Sequence, residues 1–247
     1  MLRRMNRSLR AGALVLTLLL VASGCAYPQE LRQENQINPA EFITVVQQAV
    51  DQFHDKTGVL PIKNSEMTTP LYEKYVIDFG KLQRANLLSS VPANAFEKGG
   101  IFMYVLVNPE TKPEVKLMDL SAYQSAGDVE KQAADYRAKH NGELPLGFQA
   151  APGFYYVDFD KLGTKAPEIK SDYNRQNTYS YVIQEKTGLV MLDYGPDLMK
   201  AIEAKGLQDQ LDPKADLREL LVADALFVPA RSFAYHWKDG APVPAAE

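Results

Sequence analysis

The sequence predicts an α+β fold: two tandem repeats of a helix plus an antiparallel β-hairpin, followed by a helical C-terminal extension. Three observations lead there. The pattern GxLP…YxxDFxKL occurs twice, with sixteen residues separating Gly58 from Tyr75 and twelve separating Gly142 from Tyr155. Each copy follows an apolar pattern of helical period. Each precedes two short apolar runs joined by a turn, which reads as a hairpin. Two such segments in the same order, with matching flanks, favour duplication over convergent local structure.

The elements follow in chain order. Asn38-Pro39-Ala40-Glu41 supplies an N-cap, a proline at the first helical position and an acidic residue in the first turn. Phe42, Val46, Ala49 and Phe53 then fall on one helical face, and Gly58 sits where a left-handed residue ends such a helix. Ile101–Val107 turns through residues 108–113 and returns as Val115–Leu120. The second copy opens with Val129, Ala133, Tyr136 and His140 at helical spacing, and its hairpin is Tyr179–Gln184 with Leu189–Tyr194. Beyond it, Gly195-Pro196 opens a short helix stopped at Gly206, and Asp212-Pro213 starts another carrying Leu217, Leu220 and Leu221. Leu226–Pro229 reads as an extended closing segment, and Lys238–Glu247 as a frayed end. The segments are therefore 1–24 (signal), 25–38 (flexible tether), 39–120 and 121–194 (repeats), and 195–247 (extension and tail).

The N-terminus carries the clearest functional signal. Arg3, Arg4, Arg7 and Arg10 precede a run from Ala11 to Ala22, apolar apart from Thr17, too short for a bilayer span of ~20 residues but suited to the core of a secretory signal. Ala22-Ser23-Gly24 before Cys25 resembles a bacterial lipobox, although alanine at the first of these positions is less usual than leucine. That resemblance implies diacylglycerol on the Cys25 thiol and cleavage just before it. The competing readings are an ordinary cleaved signal and an uncleaved short anchor. The predicted localisation is the extracytoplasmic face of the cell membrane, held there by the lipid.

Composition excludes several classes. Four of the 27 Lys and Arg residues, and none of the 31 Asp and Glu, lie in 1–24, so the body carries 23 basic against 31 acidic residues, a net −8. Such a body is a poor charge-driven partner for nucleic acid. One cysteine makes neither an internal disulfide nor a multi-cysteine metal site.

Few residues invite chemistry. Asp78 and Asp158, one per copy, could form a carboxylate pair for acid–base work. The simpler reading makes each Asp the cap of the following turn, with the Phe and Leu behind it docking into the core. Asp158-Phe159-Asp160 fails as a calcium loop, because Leu162 and Ile169 stand where ligands are needed. His54, His140 and His236 lack the spacing of a zinc site. The aromatic clusters at 153–156 and 179–181 could stack on glycans, yet aromatics also fill β cores. No nucleotide-binding or hydrolase motif occurs, so no catalytic residue, metal or cofactor is assigned.

Taken together, Ser23-Gly24-Cys25, Ala49–Lys63, Thr69–Leu82, Gly99–Leu120 and Phe227-Val228-Pro229-Ala230 resemble the YphF-type lipoproteins of spore-forming Gram-positive bacteria, more tightly in the first repeat than the second. That family has no assigned biochemical activity and brings no catalytic residues. The resemblance implies the outer face of a Gram-positive cytoplasmic membrane. The expected function is non-enzymatic binding of an envelope protein or glycan, with the groove between the repeats as the expected site. The alternatives are a solute-binding lipoprotein serving a transporter, and a cell-wall hydrolase using the carboxylate pair.

Overall fold

A computed structural model describes residues 38–245. The signal, most of the tether and Cys25 lie outside the described residues. The described part is α+β: six α-helices and eight strands in small antiparallel sheets.

Helix α1 (Pro39–Thr57) forms where the cap and periodicity place it, burying Val46, Ala49 and Val50, and it stops at Gly58 with φ +71°. The short helix α2 (Phe79–Arg84) is followed by β1 (Phe102–Val107) and β2 (Glu114–Asp119), which pair antiparallel with Tyr104 opposite Leu117. Bridges from Ile62 to Ile77 and from Val76 to Val105 add two further extended segments to this hairpin. The chain then enters α3 (Leu120–Lys139), capped by Asp119 through the Ser121 and Ala122 N–H groups.

The second half is a four-stranded sheet of β3 (Leu146–Ala151), β4 (Phe154–Val157), β5 (Tyr181–Gln184) and β6 (Val190–Leu192), in that order, with α4 (Phe159–Leu162) after β4. Helices α5 (Gly195–Lys205) and α6 (Arg218–Asp224) follow, then β7 (Ala234–Lys238) and β8 (Ala241–Ala245).

The C-terminal extension, expected to be helical with a frayed end, also ends in a β-hairpin. Residues 238–245 are not frayed: Asp239 and Gly240, with φ +51° and +79°, make the two-residue turn of the β7–β8 hairpin. Two successive left-handed residues give the reverse turn whose twist matches antiparallel strands. Asp212 bonds the Lys214 N–H in a local turn, and the helix begins only at Arg218.

That extension covers what the hairpins alone leave open. Tyr104, Leu106, Val115 and Leu117 face α1 and α2, whereas Val105, Val107 and Met118 pack with Val222 of α6 and Val228. In the second half Tyr181, Ile183, Val190 and Leu192 face α3, α5 and α6, while Val182 and Met191 pack with Phe233 and Val243. Both hairpins are thus apolar on both faces, which is why β1 reads as a continuous apolar run instead of an alternation.

Candidate functional site

The Leu-Pro, Asp-Phe and Lys positions of the recurring motif fold alike in each half. Leu60-Pro61-Ile62 and Leu144-Pro145-Leu146 make matching turns, in which Ile62 and Leu146 donate their N–H to the carbonyls of Leu60 and Leu144. Asp78 and Asp158 donate their N–H to the carbonyls of Pro61 and Pro145, both at 2.8 Å. The Asp78 carboxylate accepts the Lys81 N–H, and the Asp158 carboxylate accepts those of Asp160 and Lys161. The motif lysines reach back, Lys81 Nζ to the Ile62 carbonyl and Lys161 Nζ to that of Leu146, both at 2.8 Å. Phe79 meets Tyr104 edge to face at 5.3 Å, and Phe159 meets Tyr181 likewise at 5.7 Å.

These contacts account for the two aspartates without chemistry. Each is an N-cap, and the phenylalanines behind them enter separate core clusters. The two carboxylates thus cap different helices, α2 and α4, in different halves of the chain. Asp119 and Asp193, which end the returning strands in the sequence, are not equivalent either. Tyr104 faces Leu117 and Tyr181 faces Leu192, so the second aspartate sits one position closer to its tyrosine's partner, and it follows β6 where Asp119 ends β2.

His54 lies in the last turn of α1, His140 caps the end of α3 and stacks on Tyr136 at 3.8 Å, and His236 is on β7. Among the described residues no three His, Cys, Asp or Glu side chains converge to hold a metal. Phe154, Tyr179 and Tyr181 are buried core residues, not a presented aromatic surface. Tyr155 and Tyr156 are partly buried, and Tyr156 donates its hydroxyl to Asp193 at 3.1 Å.

Sequence reasoning missed a hollow of about 270 Å³. It lies not between the two halves but between the first half and α6. Leu71, Tyr72, Tyr75, Leu106, Val107 and Val222 form apolar walls, with Glu114 and Glu219 also lining it. Its construction starts at Pro70, which opens a one-turn 3₁₀ segment, Leu71–Glu73. Tyr75 then takes φ +58°, a left-handed backbone that costs an aromatic residue about 1–3 kcal/mol. Regular pairing holds that strain on one side: Leu106 donates its N–H to the Tyr75 carbonyl at 3.0 Å, and Ile77 donates to that of Tyr104 at 2.9 Å. Tyr155, at the same motif position, lies within the regular strand β4. The strain therefore belongs to the hollow and not to the motif.

Arg218 braces the rear of this region. Its guanidinium lies 5.1 Å from the Tyr72 ring centre and grips Asp216 through Nε and Nη2. Burial, then the Asp216 charge, raises the Tyr72 hydroxyl above its ordinary range; Arg218 opposes this and Glu219 adds to it. The hydroxyl stays neutral at physiological pH. Leu71 is 50% exposed at the mouth, so the apolar wall opens to solvent. The lining combines apolar walls with a few polar groups, the make-up of a small-ligand hollow.

Two hollows of about 610 and 590 Å³ flank α4 in the second half, lined in common by Tyr156, Val157, Phe159 and Asp160. The first carries Phe148, 89% exposed, on edge strand β3.

Among the described residues no helix is long and apolar enough to cross a membrane. No curated protein and no solved structure matches the chain. Residues 39–119, from the first residue of α1 to the last of β2, match the YphF family N-terminal domain, in agreement with the YphF-type resemblance read from the sequence.

Proposed function

We propose that this chain is a lipid-anchored, extracytoplasmic, non-enzymatic binding module of the cell envelope, tethered through Cys25. The observation that carries the binding role is the hollow walled by Tyr72, Tyr75 and Val222, where an aromatic residue is kept in a strained backbone conformation. Strain of that kind persists where surrounding structure over-determines it, and it clusters at ligand sites. The motif carboxylates are occupied as helix caps, which removes the support for a hydrolase. The strand pairs are antiparallel hairpins, which lends none to a transporter-type solute receptor with parallel-stranded lobes.

The two halves are further read as copies of one helix-plus-hairpin unit. Support comes from the shared hydrogen bonds of the Asp, Pro and Lys positions and from the equivalent Phe–Tyr pairs.

In intact cells, a photo-reactive residue at position 71 should give a discrete adduct, and one at exposed position 139 should not. Adding Ala223→Arg at the lip of the hollow should abolish the adduct. Equal labelling from both positions, or from neither, would overturn the binding reading. Cys25→Ala should lose acyl-chain labelling and release protein from the membrane; labelling that persists would sink the anchor.

A further inference from the structure

The lining of the hollow favours one chemistry of ligand over others. Its walls are apolar, and the charged groups lining it are two carboxylates, Glu114 and Glu219. An anionic ligand entering there would face like charge at close range in partly desolvated surroundings, which is unfavourable. A neutral ligand would leave both carboxylates unused. A cation on an apolar stem satisfies both features, with its stem against Leu71, Leu106 and Val222 and its charge at the acidic groups.

The two carboxylates are not equivalent. Glu114 is shared with Lys112 at 3.3 Å and Lys116 at 3.7 Å. Lys116 is itself committed elsewhere: its side chain is 10% exposed and its Nζ donates to the Ala225 carbonyl at 2.7 Å, at the end of α6. Glu219 is exposed, and among the described residues it forms no salt bridge. The positive charge of Arg218 is held by Asp216 behind the Tyr72 ring. Glu219 is therefore the free acceptor, and Glu114 a partly neutralised second one. Tyr75 adds an aromatic ring, a further attraction for an ammonium or guanidinium group.

We propose that this hollow binds an organic cation, a primary amine or guanidinium on an apolar stem, with Glu219 as its main charge partner. The proposal rests on the binding reading above and names its ligand class. The same chemistry is offered by a free alkylamine and by a lysine or arginine side chain of a partner. A volume of about 270 Å³ lies just below the usual range of ligand pockets and suits either small group.

The test is a titration of the full-length chain in nanodiscs, read by NMR of labelled tyrosine rings. The probes are hexylamine, hexanol, hexanoate and a short lysine-containing peptide with blocked ends. Hexylamine should bind about tenfold more tightly than hexanol, and hexanoate should be weakest. Glu219→Gln should weaken hexylamine about fivefold and leave hexanol unchanged, with a smaller effect from Glu114→Gln. A tighter fit for the peptide than for hexylamine would assign the cation to a partner chain; the reverse would assign it to a free amine. Hexanol or hexanoate binding as well as hexylamine would overturn the cation proposal while the binding site stood. No perturbation of the rings by any probe would overturn both.

Discussion

Tyr235 donates its hydroxyl to Asp193 Oδ1 at 2.8 Å, although the carboxylate is 7% exposed and the tyrosine 1%. The same carboxylate accepts the Gly195 N–H at 2.9 Å and the Tyr156 hydroxyl at 3.1 Å, and Tyr235 accepts the Tyr194 N–H at 3.1 Å. One side chain thus ties β4, the start of α5 and β7 together. A buried carboxylate is tolerated when several donors replace water. These donors explain why Asp193 recurs near a strand end without serving as a simple helix cap.

Tyr235→Phe removes a charge-assisted bond and orphans the Tyr194 N–H, so it should cost about 2 kcal/mol. For a chain of this size that lowers Tm by roughly 4–8 °C. Tyr156→Phe removes the longer and more exposed bond and should cost less than half as much. Thermal melts of the two variants decide it; equal losses would show that the network is not centred on Tyr235.

Asp172 gives the fold an inverted acid response. Burial, then the nearby Asp119 charge, pushes its carboxyl from 3.8 to about 7, with Arg175 opposing and Asp197 adding. Asp197 and Glu73 are also raised, chiefly by burial. A raised folded pKa means that the folded state holds the proton after the unfolded chain has released it. The stabilisation is complete below about pH 4 and is lost as pH rises towards 7. Asp172→Asn, which mimics the neutral form, should raise Tm at pH 8 and reduce the loss between pH 5 and pH 8. Parallel slopes for wild type and variant would remove Asp172 as the source.

Local chemistry was legible in the sequence wherever a short-range rule decides the outcome. The helix start at Pro39, the stop at Gly58, the capping aspartates of the motif and the hairpin ends all follow from neighbours in the chain. What was not legible depends on partners far away. The hollow needs both Val222 and Tyr75 in its lining, and nothing in either segment announces the other. The second faces of both hairpins wait for residues 222–243, so the apolar continuity of β1 could not name its cover. The Asp239-Gly240 turn was a readable signal, obscured by the surrounding prolines and alanines that resemble a loose tail.

The motif lysines offer a comparison within one molecule. Lys81 and Lys161 make the same bond at the same length, but the first is partly buried and the second exposed. Water can replace a lost donor at the Leu146 carbonyl more readily than at that of Ile62. Lys81→Met should therefore destabilise by about 1–1.5 kcal/mol and Lys161→Met by under about 0.5 kcal/mol. Denaturant midpoints measured side by side would test this ordering, and a larger loss at Lys161 would contradict it.

The single tryptophan, Trp237, lies opposite Pro242 in the β7–β8 pair, so its emission reports directly on the hairpin that closes the second sheet. Gly240 carries φ +79° with nothing near its missing Cβ, so Gly240→Ala meets backbone strain without a clash and should cost about 1 kcal/mol. Stopping the chain after Lys238 goes further. It removes β8 and with it Val243, which packs against the face of Val182 and Met191. The truncated chain should show red-shifted Trp237 emission under native conditions and a loss larger than that of Gly240→Ala, because an apolar face is left uncovered. If β8 were a dispensable tail, emission and midpoint would match the full chain.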